Sequence, residues 1–119
     1  VLPASLPAAR SRADQFDDLV ADAVDRVARR WGEQLHDVEV AVEDVPPATD
    51  EGVSLSRAEP AAGDEPARIV VHRRPVERRA SGLRAREDLV HDAVVEAVAD
   101  LLGVSPDVVD PDRDEDGPD

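Results

Sequence analysis

The stretch that most limits what this chain can fold into runs from Arg84 to Leu102 and is closed by Gly103. Apolar pairs recur at Leu89/Val90, Ala93/Val94, Ala97/Val98 and Leu101/Leu102, the spacing of a buried helical face. Beside that face runs a period-four acidic line of Asp88, Asp92, Glu96 and Asp100. Like charges four residues apart on a helix repel by roughly 0.2–0.5 kcal/mol per pair. Asp100 also sits near the negative end of the helix dipole. Such a line asks for an explanation: a site, the remnant of one, or a face turned to water.

The chain around it is short. With 119 residues it is expected to form one domain with a modest core. Its 41% hydrophobic content is mostly Ala, Val and Leu, and Phe16 and Trp31 are the only aromatics, so a thin core of one sheet under one or two helices is expected. The absence of Cys removes disulfides and thiolate metal sites from consideration. A net charge of −14 argues against nucleic acid and anionic membranes as partners, because that affinity needs cationic surface to release counterions. No run of 18 apolar residues spans a bilayer, and Val1–Arg10 lacks the basic start and apolar core of a secretory signal, so a cytoplasmic location is the expectation. The start at Val1 in place of Met has no explanation in the sequence.

Residues 1–10 read as a flexible arm, since Pro3 and Pro7 prevent an early helix. Ser11 can cap a helix over about 12–31, whose Phe16, Val20, Ala23, Val24, Val27 and Trp31 share a face and which Gly32 ends. Its early Asp residues and late Arg26, Arg29 and Arg30 suit the helix dipole. Val38–Asp44 alternates with period two and reads as a strand, stopped by Pro46 and Pro47. Residues 48–66 read as loop, with Val53–Leu55 as a possible short extended piece. Ala67–His72 reads as a second strand buried on both faces, ended by Arg73-Arg74-Pro75-Val76, with a polar turn over 77–82. Ser105-Pro106-Asp107 can start one last turn through Val109. Residues 110–119, with six acids, one Arg and two Pro, read as a disordered acidic tail, leaving 11–109 as the domain. Helix, strand, loop, strand, helix is an α+β order, with antiparallel or mixed pairing expected.

Several pieces taken together resemble the small zincin-like metallopeptidase family common in actinobacteria. They are Gln15–Asp25, Val40-Ala-Val-Glu-Asp-Val-Pro46, Pro66–Val76 with its Arg73-Arg74-Pro75, and the closing helix with Leu101-Leu-Gly-Val104. The resemblance covers about residues 11–109 and implies a minimal zincin-like fold: a small mixed sheet packed by an N-terminal helix and a C-terminal, formerly active-site helix. In active relatives that helix carries HExxH followed by xxGxxD. Two imidazoles at i and i+4 hold zinc, the Glu activates the metal-bound water, and the distal Asp is a third ligand. Aligned on Gly103, this chain has Glu96 and Asp100 at the two His positions, Ala97 at the general base and Pro106 at the distal Asp. The resemblance therefore implies a degenerate HExxH motif, no catalytic residue, no bound cofactor where relatives hold zinc, and a soluble interaction or regulatory module without peptidase activity. The partner would be a protein of unknown identity, and the oligomeric state is not legible.

Two alternatives stay open. Glu96 and Asp100 share a face and could belong to a divergent hydrolase with oxygen-ligated Ca²⁺, Mg²⁺ or Mn²⁺, although two carboxylates alone bind weakly and Ala97 offers no base. The chain could also be an unrelated acidic α+β binding domain. Against a site stands the expectation that the acidic line is solvated or pairs with Arg73, Arg74, Arg78 or Arg79. His91 begins His-Asp-Ala-Val-Val, which lacks a second His, and His36, His72 and His91 have no ligand spacing among them. Arg68, Arg73, Arg74, Arg78, Arg79, Arg84 and Arg86 form the basic zone, for which internal ion pairing is expected, and no aromatic is interleaved there to stack on bases.

Overall fold

The computed structural model describes residues 11–45 and 54–111. Expectations for the arm at 1–10, for Val53 and for the tail beyond residue 111 lie outside these residues.

Ser11 caps the first helix, α1 (Arg12–Leu35), and its Oγ accepts the Asp14 N–H at 3.1 Å. Phe16, Val20, Ala23 and Val27 form its buried line, as their spacing predicts. The helix does not stop at Gly32. It kinks at Trp31, whose φ of −115° and ψ of 22° are non-helical, and then runs on to Leu35. The Trp31 Nε1–H donates to the Val109 carbonyl at 3.0 Å, anchoring the kink to the other end of the domain.

Three strands follow: β1 (Glu39–Glu43), β2 (Ser56–Glu59) and β3 (Arg68–His72). The sheet order is β1-β3-β2, with β1 parallel and β2 antiparallel to β3, a mixed sheet. Ile69, Val70, Val71 and His72 are all buried, which confirms the doubly covered strand that the continuous apolar run predicts. Alternation divides them. Ile69 and Val71 join the main core, while Val70 faces the other way, between its register partners Ala41 and Arg57.

Arg73 does not lead into a turn, as Pro75 suggests it should. The chain forms α2 (Arg73–Arg79) directly from the strand. Pro75 falls in the first turn, where the missing N–H has no intrahelical partner to lose. Arg78 and Arg79 then occupy the last turn, where the dipole favours cations.

The long helix α3 (Leu83–Leu102) is the hub, packing against α1, α2, β2, β3 and a final turn α4 (Pro106–Val109). Covered on so many sides, it buries Val95 and Ala99 in addition to Val90, Ala93, Val94, Ala97 and Val98. Gly103 ends it with φ 73° and ψ 29°, the left-handed conformation that glycine adopts without penalty. Its N–H and that of Val104 bond back to Asp100 and Ala99. Ser105 precedes α4 but caps through its carbonyl, which accepts from Val108 and Val109, and not through its hydroxyl. The arrangement is α+β, a small mixed sheet packed by an N-terminal and a C-terminal helix. Among the described residues no helix is long and apolar enough to cross a membrane.

Candidate functional site

Three elements meet around the exposed line of α3. Glu96, Ala97, Ala99 and Asp100 of α3, Ser54, Ser56, Arg57 and Ala58 of β2 and its approach, and Val104 and Pro106 beyond Gly103 line one open cleft of about 340 Å³. The four positions set against the metal-site pattern, 96, 97, 100 and 106, thus open onto a single space. They converge because 96, 97 and 100 lie within about one helical turn, and the left-handed turn at Gly103 brings Pro106 back over it.

Glu96 and Asp100 are exposed, and Ala97 lies at the cleft floor with 2% exposure. Among the described residues, no hydrogen bond or ion pair reaches the side chains of Asp88, Asp92, Glu96 or Asp100. The expected pairing of this line with Arg73 does not occur. Arg73 instead bonds Asp44 at 2.9 Å and Glu77 at 3.0 Å, and its hydrogen bond holds the Asp44 carboxyl below the usual carboxylate range. Of the acidic line, Asp92 is half-buried and the other three face water.

The wall opposite α3 is fixed by a polar network that the sequence did not announce. The Ser56 Oγ donates to the Ala93 carbonyl at 2.7 Å, tying β2 to α3 one turn before Ala97. His72, 1% exposed, lies 2.8 Å from the Ser54 carbonyl through Nδ1 and 2.9 Å from Arg57 Nη1 through Nε2. Because a guanidinium only donates, Nε2 is the acceptor, and Nδ1 carries the proton that bonds Ser54. Arg57 also bonds Glu43 and Glu59, each at 2.9 Å. These hydrogen bonds lower the pKa of both carboxyls, while the one donated to Glu43 raises the pKa of Arg57. Arg68 reaches the other oxygen of Glu59 at 3.0 Å. Internal ion pairing of the basic zone therefore holds for Arg68 and Arg73, with Arg57 as a central member missed in a stretch that reads as loop.

The three histidines do not converge. His36 bonds the Glu33 carbonyl and Asp37, His72 sits in the network above, and His91 bonds Asp110 at 2.7 Å. Among the described residues no group of three or more His, Asp or Glu side chains is placed to hold a metal ion. Ala97 and Pro106 carry no side-chain ligand atom, which leaves two carboxylates as the cleft's acidic donors.

With this geometry in place, comparison with known families is decisive on one point. A family model described as zincin-like metallopeptidase matches residues 35–115, which include β1 through α4 and every residue of the cleft. The chain belongs to that family. No curated protein matches it.

Proposed function

We propose that this chain is a family member of a subgroup with a degenerate HExxH motif, that it has no peptidase activity, and that its cleft serves as a protein-binding surface in an interaction or regulatory role. One observation carries the proposal: residues 96, 97, 100 and 106 line one cleft, yet together they supply two carboxylates, a methyl group and a proline. Zinc sites of hydrolases need three protein ligands and an open position for water, and the bound water needs a base. This donor set does not fit zinc. Ser54, Ser56 and Arg57, the last held between Glu43 and Glu59, make the opposite wall polar, and with the exposed carboxylates of Glu96 and Asp100 this lining is suited to recognising a peptide segment.

Metal analysis of protein purified without chelator tests the proposal, together with a peptidase assay on casein. Well below one zinc per chain and no cleavage are expected. Stoichiometric zinc that disappears together with activity in Glu96→Ala would overturn it. The combined variant Glu96→His, Ala97→Glu, Asp100→His is expected to gain zinc affinity, and its failure to do so would deny that the cleft is the old metal position. Manganese- or magnesium-dependent hydrolysis abolished by Asp100→Asn would favour the carboxylate-ligated hydrolase in place of the binding module.

A further inference from the structure

A second cleft, of about 330 Å³, is lined by Arg26, Val27, Arg29 and Arg30 of α1, His91 of α3, and Val109 and Asp110. It shares no lining residue with the cleft at Glu96. His91 lies five residues before Glu96, about 140° round the helix, so α3 presents it to a different side.

The three arginines are exposed, and among the described residues none has an ion-pair partner. Spacing of i, i+3 and i+4 places them as like-charged neighbours, which repel. Arg29 and Arg30 fall in the last turn before the kink at Trp31, where the dipole of that segment favours cations, but the dipole supplies the three with no carboxylate partner. In a chain with 28 acidic residues against 14 basic ones, three neighbouring guanidiniums with no ion pair among the described residues are out of pattern. The one carboxylate in the lining, Asp110, accepts from His91 Nε2 at 2.7 Å. The His91 Nδ1 is buried and, among the described residues, without a partner. With His91 neutral, three guanidiniums against one carboxylate leave a formal charge of +2 in the lining.

We infer that this cleft binds a phosphoryl oxyanion. A phosphate group carries a charge of about −1.5 to −2 at neutral pH and several acceptor oxygens. That matches the charge of the lining, and guanidinium forks grip such a group bidentately. A single carboxylate would leave cationic charge uncompensated.

Trp31 provides the readout. It is the only tryptophan, it follows Arg30, and its indole bonds the carbonyl of Val109, a lining residue. Sodium phosphate titrated into the full-length chain at neutral pH, against sodium chloride at equal ionic strength, is expected to give a saturable change in Trp31 fluorescence that chloride does not give. Arg26→Gln and Arg30→Gln are each expected to weaken binding about tenfold, while Arg12→Gln, exposed on the same helix outside the cleft, leaves it unchanged. Circular dichroism checks that each variant is folded, as expected for substitutions at exposed positions. No saturable change, or affinity unaltered by the two cleft variants, would overturn the inference. Citrate binding as tightly as phosphate would overturn the phosphoryl assignment.

Discussion

Arg57 and His72 share a hydrogen bond of 2.9 Å whose direction is fixed by chemistry, because the guanidinium has nothing but donors. Through it the last residue of β3 and the middle of β2 are locked together beside the candidate cleft. The His72 backbone N–H adds a bond to the Leu55 carbonyl at 2.9 Å, extending the ladder by one residue. Replacing His72 by Ala removes a buried ring and two hydrogen bonds, and orphans the Ser54 carbonyl. A loss of about 2–4 kcal/mol in unfolding free energy is expected by urea denaturation. A loss below about 1 kcal/mol would mean that the network does not hold the strand.

The same arginine sets a pH dependence. Its hydrogen bonds depress the Glu43 and Glu59 carboxyls in the folded chain relative to their unfolded values. The resulting stabilisation is complete above the usual carboxylate range and is lost as pH falls through the depressed values. Unfolding free energy should therefore decline from about pH 5 downward, and Arg57→Gln should flatten that decline. Both carboxylates are more than a third exposed, so 1 M salt should flatten it as well. An acid limb identical in wild type and variant would count against the assignment.

Gly103 is needed for its backbone. At φ 73° any residue with a Cβ is strained, although no atom would obstruct the Cβ itself. Gly103→Ala should cost about 1–2 kcal/mol, measured as a lowered Tm with unchanged helical content. No shift would mean that the turn bringing Pro106 over the cleft tolerates another conformation.

Phe16 is the single phenylalanine and is fully buried in a core whose other buried members are Val, Ala and Ile, with Leu side chains and Trp31 packed at its edge. Truncation to Ala should cost about 3–5 kcal/mol, a large part of the 5–15 kcal/mol typical of a whole domain. Phe16→Leu should recover most of it. If the Ala variant unfolds at the wild-type urea midpoint, the core does not depend on this ring.

The elements with strong periodicity were legible. α1, β1, β3 and α3 follow from the spacing of Val, Ala and Leu, and the Ser11 cap follows from its place ahead of an acidic first turn. β2 was not, because Ser56-Arg-Ala-Glu59 has no apolar alternation. It is a strand by virtue of its antiparallel pairing with β3, of Ser56 bonding α3 and of Arg57 pairing with Glu43, contacts between distant parts of the chain. α2 was hidden by Pro75, which breaks helices in their interior but not in their first turn. Glu96 and Asp100 could be grouped from their period-four spacing, while Ala97 and Pro106 joined them only through the family resemblance aligned on Gly103. The opposite wall, Ser54 to Ala58, could not, since only the antiparallel pairing of β2 with β3 brings it over α3.

α3 is enclosed by five neighbouring elements and meets water chiefly along its acidic edge. Past its exposed first turn, most other positions on it are answerable to packing, where one methylene too many or too few is penalised. Positions 96 and 100 answer only to solvent, and any hydrophilic side chain satisfies them. The helix thus keeps two kinds of position apart: its inner faces hold the architecture, and its outer edge carries side chains that the packing does not constrain. A chain built this way can exchange the chemistry at its cleft without having to fold anew.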